Sequence, residues 1–154
     1  MGAAYFYHLT DGPLETTLPT LLTKARAAGW RIAVRGADPK RLEWLDDKLW
    51  LLSEDGFLPH GIAGGEFDAD QPILLTVAPD LPEGAACLMA IDGAGVDPDE
   101  VKALERTCIL FDGNDQQAVQ GARDQWKALT AAGCTAQYWA QDGGRWTKKA
   151  EAGT

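Results

Sequence analysis

The sequence predicts an α/β fold: one domain with a central, mostly parallel sheet and helices on both faces. Three observations carry that reading. Short aromatic and aliphatic runs alternate with segments whose apolar residues recur at helical spacing, the pattern of repeated β-α units. Asp-Pro pairs open two of the helical segments and glycines close two others, so the boundaries are marked chemically. The length, 154 residues, fits one domain. A chain of that size buries roughly 70% of the surface it exposes when unfolded, so it needs no disulfide or metal staple.

Taken in order, Ala4 to Leu9 contains Tyr5, Phe6 and Tyr7 and reads as a strand, ended by the turn residues Asp11-Gly12-Pro13. Leu14, Leu18, Leu21, Leu22 and Ala25 form one helical stripe, stopped at Gly29. Trp30 to Val34 is a second strand. Asp38 caps and Pro39 starts a helix whose buried stripe is Leu42, Leu45 and Leu49. Loop signals follow at Pro59, Gly61, Gly64 and Gly65.

Ile73 to Val77 and Cys87 to Ile91 read as strands joined by the turn region from Pro79 to Gly84. With no helix between them, the stretch 57–91 reads as an antiparallel excursion. Asp97-Pro98-Asp99-Glu100 opens a short helix, with acids at its positive end. Thr107 to Phe111 is an apolar strand. Asp112 to Asp115 make a turn and cap for a helix reaching about Ala132 and closed by Gly133. Ala136 to Ala140 is the last strand. The domain is expected over 1–147, with 148–154 a flexible tail.

The net charge of −9 and a pI near 4.6 oppose phosphate, so direct nucleic-acid binding is disfavoured. Three cysteines, Cys87, Cys108 and Cys134, are an odd number without a CxxC pair; buried free thiols are expected, not a disulfide framework or zinc site. No apolar run approaches the ~18 residues of a membrane span, and the N-terminus lacks the basic and then apolar pattern of a signal peptide.

Alternating β and α elements make a Rossmann-like, doubly wound sheet, which raises the question of nucleotide binding. The first strand-to-helix turn has neither GxGxxG nor GxxxxGK[ST], and Gly61-Ile62-Ala63-Gly64-Gly65 runs into Glu66, the wrong charge beside a phosphate. His8 and His60 have no nucleophile motif near them and read as histidines hydrogen-bonded at a strand end and in a turn. Asp46-Asp47 reads as a solvated helix face.

The C-terminal helix carries more information. Val119, Ala122, Trp126 and Leu129 form its apolar stripe, and Arg123, Lys127 and Thr130 lie beside it. Two cations one turn apart repel mildly. In so acidic a chain, cations flanking a tryptophan suit a peptide that ends in an apolar residue and a carboxylate, the alternative on spacing alone being the commoner solvated cationic edge.

At these residues the sequence resembles the chi subunit family of bacterial DNA polymerase III, over most of the chain. Leu45-Asp46-Asp47-Lys48-Leu49-Trp50, followed by Phe57-Leu58-Pro59-His60-Gly61-Ile62-Ala63-Gly64, is similar to the family's LDxxLW…FxPHxxxG pattern. Phe6-Tyr7-His8-Leu9 is similar to its FYxL strand, and Ala122 to Lys127 followed by Gly133 to its ARxxYK…G helix.

The resemblance implies a cytoplasmic accessory subunit of DNA replication, with no active site and no cofactor. It implies binding of the acidic C-terminal tail of single-stranded-DNA-binding protein by Arg123, Trp126 and Lys127. It also implies a link to the clamp loader, in some bacteria through a psi subunit, with DNA touched only indirectly. Trp126 stands where the family has tyrosine. Val119 stands where it commonly has a further lysine, which Lys148 or Lys149 could replace. The alternative from the residues themselves is a small doubly wound enzyme or nucleotide-binding protein using the His8/His60 region.

Overall fold

In the structure, a computed structural model that describes residues 2–10, 14–52, 60–63, 71–78, 81–142 and 145–152, eight strands form one sheet in the order β3-β4-β2-β5-β6-β1-β7-β8. The chain runs β1 (Ala3–Leu9), α1 (Leu14–Ala27), β2 (Arg31–Arg35), α2 (Pro39–Leu52), β3 (Gly61–Ile62), β4 (Ile73–Thr76), β5 (Ala85–Ala90), α3 (Pro98–Ala103), β6 (Arg106–Asp112), α4 (Gln116–Ala131), β7 (Thr135–Asp142) and β8 (Arg145–Ala152). The Asp11-Gly12-Pro13 turn, Phe57, Leu58, Pro59, Gly64, Gly65, Glu66, Pro79 and the Trp50 side chain lie outside the described residues.

Period-two alternation sends each strand's side chains to two cores. Tyr7 and Leu9 of β1 join Ile32, Val34, Met89 and Leu110 under the leucine stripes of α1 and α2. Phe6 of β1 joins Leu88 and Phe111 under Val101 of α3 and Leu129 of α4. Helices therefore cover both faces, as the sequence predicts. The helix boundaries follow the anticipated chemistry. Asp38 Oδ1 accepts from the Lys40 amide at 3.0 Å, and Asp115 Oδ1 accepts from the Gln117 amide at 2.9 Å. Gly29 and Gly133 take φ of 84° and 89°, the left-handed conformation that closes a helix.

Two expectations are corrected. The stretch 57–91 holds no antiparallel excursion among its described residues: β3, β4 and β5 all run parallel to their neighbours. Parallel neighbours usually need a dozen or more connecting residues, but β4 and β5 flank β2 on opposite sides. The eight residues 77–84, reaching at most ~29 Å when extended, are enough to return beside a short strand. The antiparallel pair lies at the other edge. Where the sequence suggests a flexible tail from Lys148, β8 pairs with β7 from Asp142↔Arg145 to Ala136↔Ala152. Trp146 is the one large apolar residue of β8, so its alternation is too faint to announce a strand.

Candidate protein-binding site on helix α4

Helix α4 is amphipathic, with Ala122 and Leu129 buried against the sheet. Trp126 lies between them on the helix and is half-buried. Its ring centroid stands 5.3 Å from Phe6, edge-on, and 6.1 Å from Tyr138. Arg123 and Lys127 are exposed on either side of it. Among the described residues neither has an ion-pair partner, and the nearby carboxylate of Asp124 is engaged by Gln120 at 2.9 Å. The structure thus brings Arg123, Trp126 and Lys127 together as one surface, an aromatic edge between two cations.

Tyr138 is the residue that the sequence reading missed. Alternation on β7 turns it toward α4, the same side as the buried Ala136. His8 Nδ1 and Tyr138 Oη share a hydrogen bond of 2.6 Å, and both rings pack with Phe111. Burial pushes the Tyr138 hydroxyl pKa up, and the positive charge of Arg123 works against that shift. Small residues at 136 and 140, with Tyr138 between them, were the available signal.

Val119 is half-buried and packs on the α4-side core, so it contributes packing where a cation was expected. Lys148 does not replace that cation. It pairs across the sheet with Trp139, which packs in the opposite core, and paired residues share a face. Its ammonium is 3.2 Å from Glu151.

The two halves of the LDxxLW…PH pattern meet. His60 is buried, and its Nε2 lies 3.0 Å from Asp46 Oδ1. Asp46 is thus engaged and not merely part of a solvated face, which corrects that reading. Both histidines hold structure, as the sequence suggests. The three cysteines are buried and free, and a hydrogen bond that the Cys108 thiol donates to Cys87, together with burial, pushes the Cys108 pKa up, away from reactivity.

The crevice at the carboxyl ends of β1 and β6, where a doubly wound sheet binds ligands, has a volume of about 850 Å³. Among the described residues Glu15, Asp92, Asp112 and Asp115 line it against one cation, Arg41, which Asp92 engages at 2.9 Å. Four carboxylates make this a poor phosphate site, and among the described residues neither histidine lines it. Among the described residues no cluster of His, Cys, Asp and Glu could hold a metal, and no helix is long and apolar enough to cross a membrane.

The chain is similar to known proteins. The family model described as DNA polymerase III chi subunit, HolC, matches residues 1–137. A curated relative, "Probable DNA polymerase III subunit chi" of Rickettsia prowazekii (strain Madrid E), is 24% identical over 111 residues, covering 69% of this chain and 67% of the relative.

Proposed function

The chain belongs to the DNA polymerase III chi subunit family, and from that premise we propose that it is a non-catalytic, cytoplasmic adapter of the replication machinery. Its α4 face binds the acidic C-terminal tail of single-stranded-DNA-binding protein, and the subunit links that protein to the clamp loader, directly or through a psi subunit. The observation that carries the reading is the pair of exposed cations, Arg123 and Lys127, without an ion-pair partner among the described residues and flanking half-buried Trp126 on a chain of net charge −9.

The chemistry is complementary on both counts. A terminal apolar side chain packs on the Trp126 and Tyr138 edges, removing apolar surface from water. Its carboxylate is taken by Arg123, whose planar fork matches two oxygens, while Lys127 serves as a point charge for the acids upstream. Charge steers the encounter and the apolar contact gives specificity. DNA is reached only through the coating protein, which suits an acidic subunit that repels phosphate.

Pull-down on immobilised single-stranded-DNA-binding protein, full length and lacking its last few residues, tests the proposal. Retention by the full-length protein alone is expected. Equal retention by both would exclude the tail as the ligand.

A further inference from the structure

On the sheet face opposite α4 lies a second cleft, of about 480 Å³. α1 forms one wall through Leu21, Lys24 and Ala25, and Cys87, Met89 and Cys108 of β5 and β6 form the floor. The other wall is aromatic: Tyr5, Tyr7, Trp139 and Trp146, with Trp30 at one end. Trp30, Trp139 and Trp146 are only half-buried. α1 packs on β2 and β6 and α2 on β3 and β4, and Tyr5, Tyr7, Trp139 and Trp146 line the neighbouring β1, β7 and β8 portion of this face.

Two features say what kind of ligand fits. The rings are held in place: Tyr7 stands edge-on to Trp146 at 5.1 Å, and the Trp139 indole N–H donates to Gln137 Oε1 at 3.0 Å. Rigid Trp and Tyr side chains around a pocket are the commonest anchors of protein interfaces, since little side-chain entropy is lost when they bind. The charge is the reverse of the chain as a whole. Among the described residues Lys24 and Arg106 line the cleft and no carboxylate does, in a protein of net charge −9. The Arg106 guanidinium is set 4.3 Å over the Tyr5 ring and 5.2 Å from Trp30, so its donors are pre-positioned at the rim.

We propose that this cleft is a second protein-docking site, for an internal segment of a partner that places a large apolar side chain beside carboxylates. The apolar side chain enters between α1 and the Trp146 wall, and the acids meet Arg106 and Lys24. Because the cleft and the α4 surface lie on opposite faces of the sheet, both are available to partners at once. The inference stands on the cleft alone and holds whether or not α4 binds a tail.

Selection from a random peptide library displayed on phage tests it. The displayed peptides are fused at their carboxyl ends, so none presents the free terminal carboxylate that the α4 site uses. Enriched peptides are expected to carry Trp, Phe or Leu next to Asp or Glu. They are expected to lose about tenfold or more in affinity on Arg106→Ser or Lys24→Glu, and to bind Arg123→Ala and Lys127→Ala chains as they bind the parent. Lys24 is exposed, so its variant keeps the fold and the test. Failure to enrich any peptide, enrichment without acids, or full binding to both cleft variants would overturn the proposal. The tail peptide of single-stranded-DNA-binding protein, titrated into the same cleft variants, is expected to bind unchanged. Loss there would make the cleft the tail's own site and overturn the separate-partner inference.

Discussion

Glu100→Gln isolates one buried charge. Arg35 on β2 and Glu100 in the first turn of α3 form a two-pronged pair, Nη1 to Oε1 at 2.8 Å and Nη2 to Oε2 at 2.7 Å, with side chains only 7% and 16% exposed. Arg35 Nη1 also donates to the Gly95 carbonyl at 3.0 Å. The amide keeps the shape of the carboxylate and can still accept from the Asp97 backbone N–H, which Glu100 Oε1 now takes at 3.1 Å. What is lost is the negative charge, leaving a desolvated guanidinium against a neutral group.

Breaking a buried pair in this way costs roughly 3–5 kcal/mol. The surviving Gly95 contact and the partial exposure of Glu100 favour the lower end, about 3 kcal/mol. For a domain of this size that lowers the melting temperature by roughly 6–12 °C.

The sign of the pH dependence follows from the same geometry. The Arg35 hydrogen bonds hold the Glu100 pKa below its ordinary value, against an opposing contribution from burial. The pair therefore contributes in full above the unfolded pKa of about 4.3. Its contribution is lost as the pH falls through that value toward the depressed folded one. Thermal melts of parent and variant, followed by circular dichroism from neutral to acid pH, are expected to diverge at pH 7 and converge in acid. A variant that melts with the parent at pH 7, or a gap that stays constant on acidification, would refute the reasoning.

Three further outcomes are expected. Gly113→Ala places a methyl group over the His8 ring and 2.9 Å from the Leu9 carbonyl oxygen; overpacking of this kind costs about 1–3 kcal/mol, read as a lower urea midpoint. Asp46→Ala removes the carboxylate facing buried His60 and is expected to destabilise by about 1–3 kcal/mol in the same assay. Tyr138→Phe deletes the hydroxyl bonded to His8 while keeping the ring beside Trp126. A loss of about 1 kcal/mol in stability with little change in tail affinity is expected, because the ring edge carries the apolar contact.

The sequence made the layered fold legible because the relevant signals are local. Asp38-Pro39 and Asp97-Pro98 mark helix starts by their own backbone chemistry, and the leucine stripes of α1 and α2 declare a buried face by spacing alone. What it hid depends on partners distant in the chain. β4 and β5 adjoin without a helix between them, so they look like a hairpin until β2 is seen to separate them. β8 carries Lys148, Lys149 and Glu151 and is held by ladder bonds to β7, which leave little trace in side-chain pattern. The same divide holds for the candidate site. Arg123, Trp126 and Lys127 share one helix and can be found by spacing. Tyr138 joins them from a strand, and Asp46 meets His60 across a loop, so neither contact shows in the spacing of residues.

The central claim is that α4 takes up an acidic peptide tail. The most direct measurement is calorimetric titration of the tail peptide of single-stranded-DNA-binding protein into the parent chain and into Arg123→Ala and Lys127→Ala, at low and high salt. Binding in the micromolar range, about −8 kcal/mol, is expected. Affinity is expected to fall about tenfold with Arg123→Ala and by less with Lys127→Ala. Binding is also expected to weaken as the screening length falls from about 10 Å at 0.1 M to about 3 Å at 1 M salt. Unchanged affinity in both variants, or binding indifferent to salt, would contradict the claim.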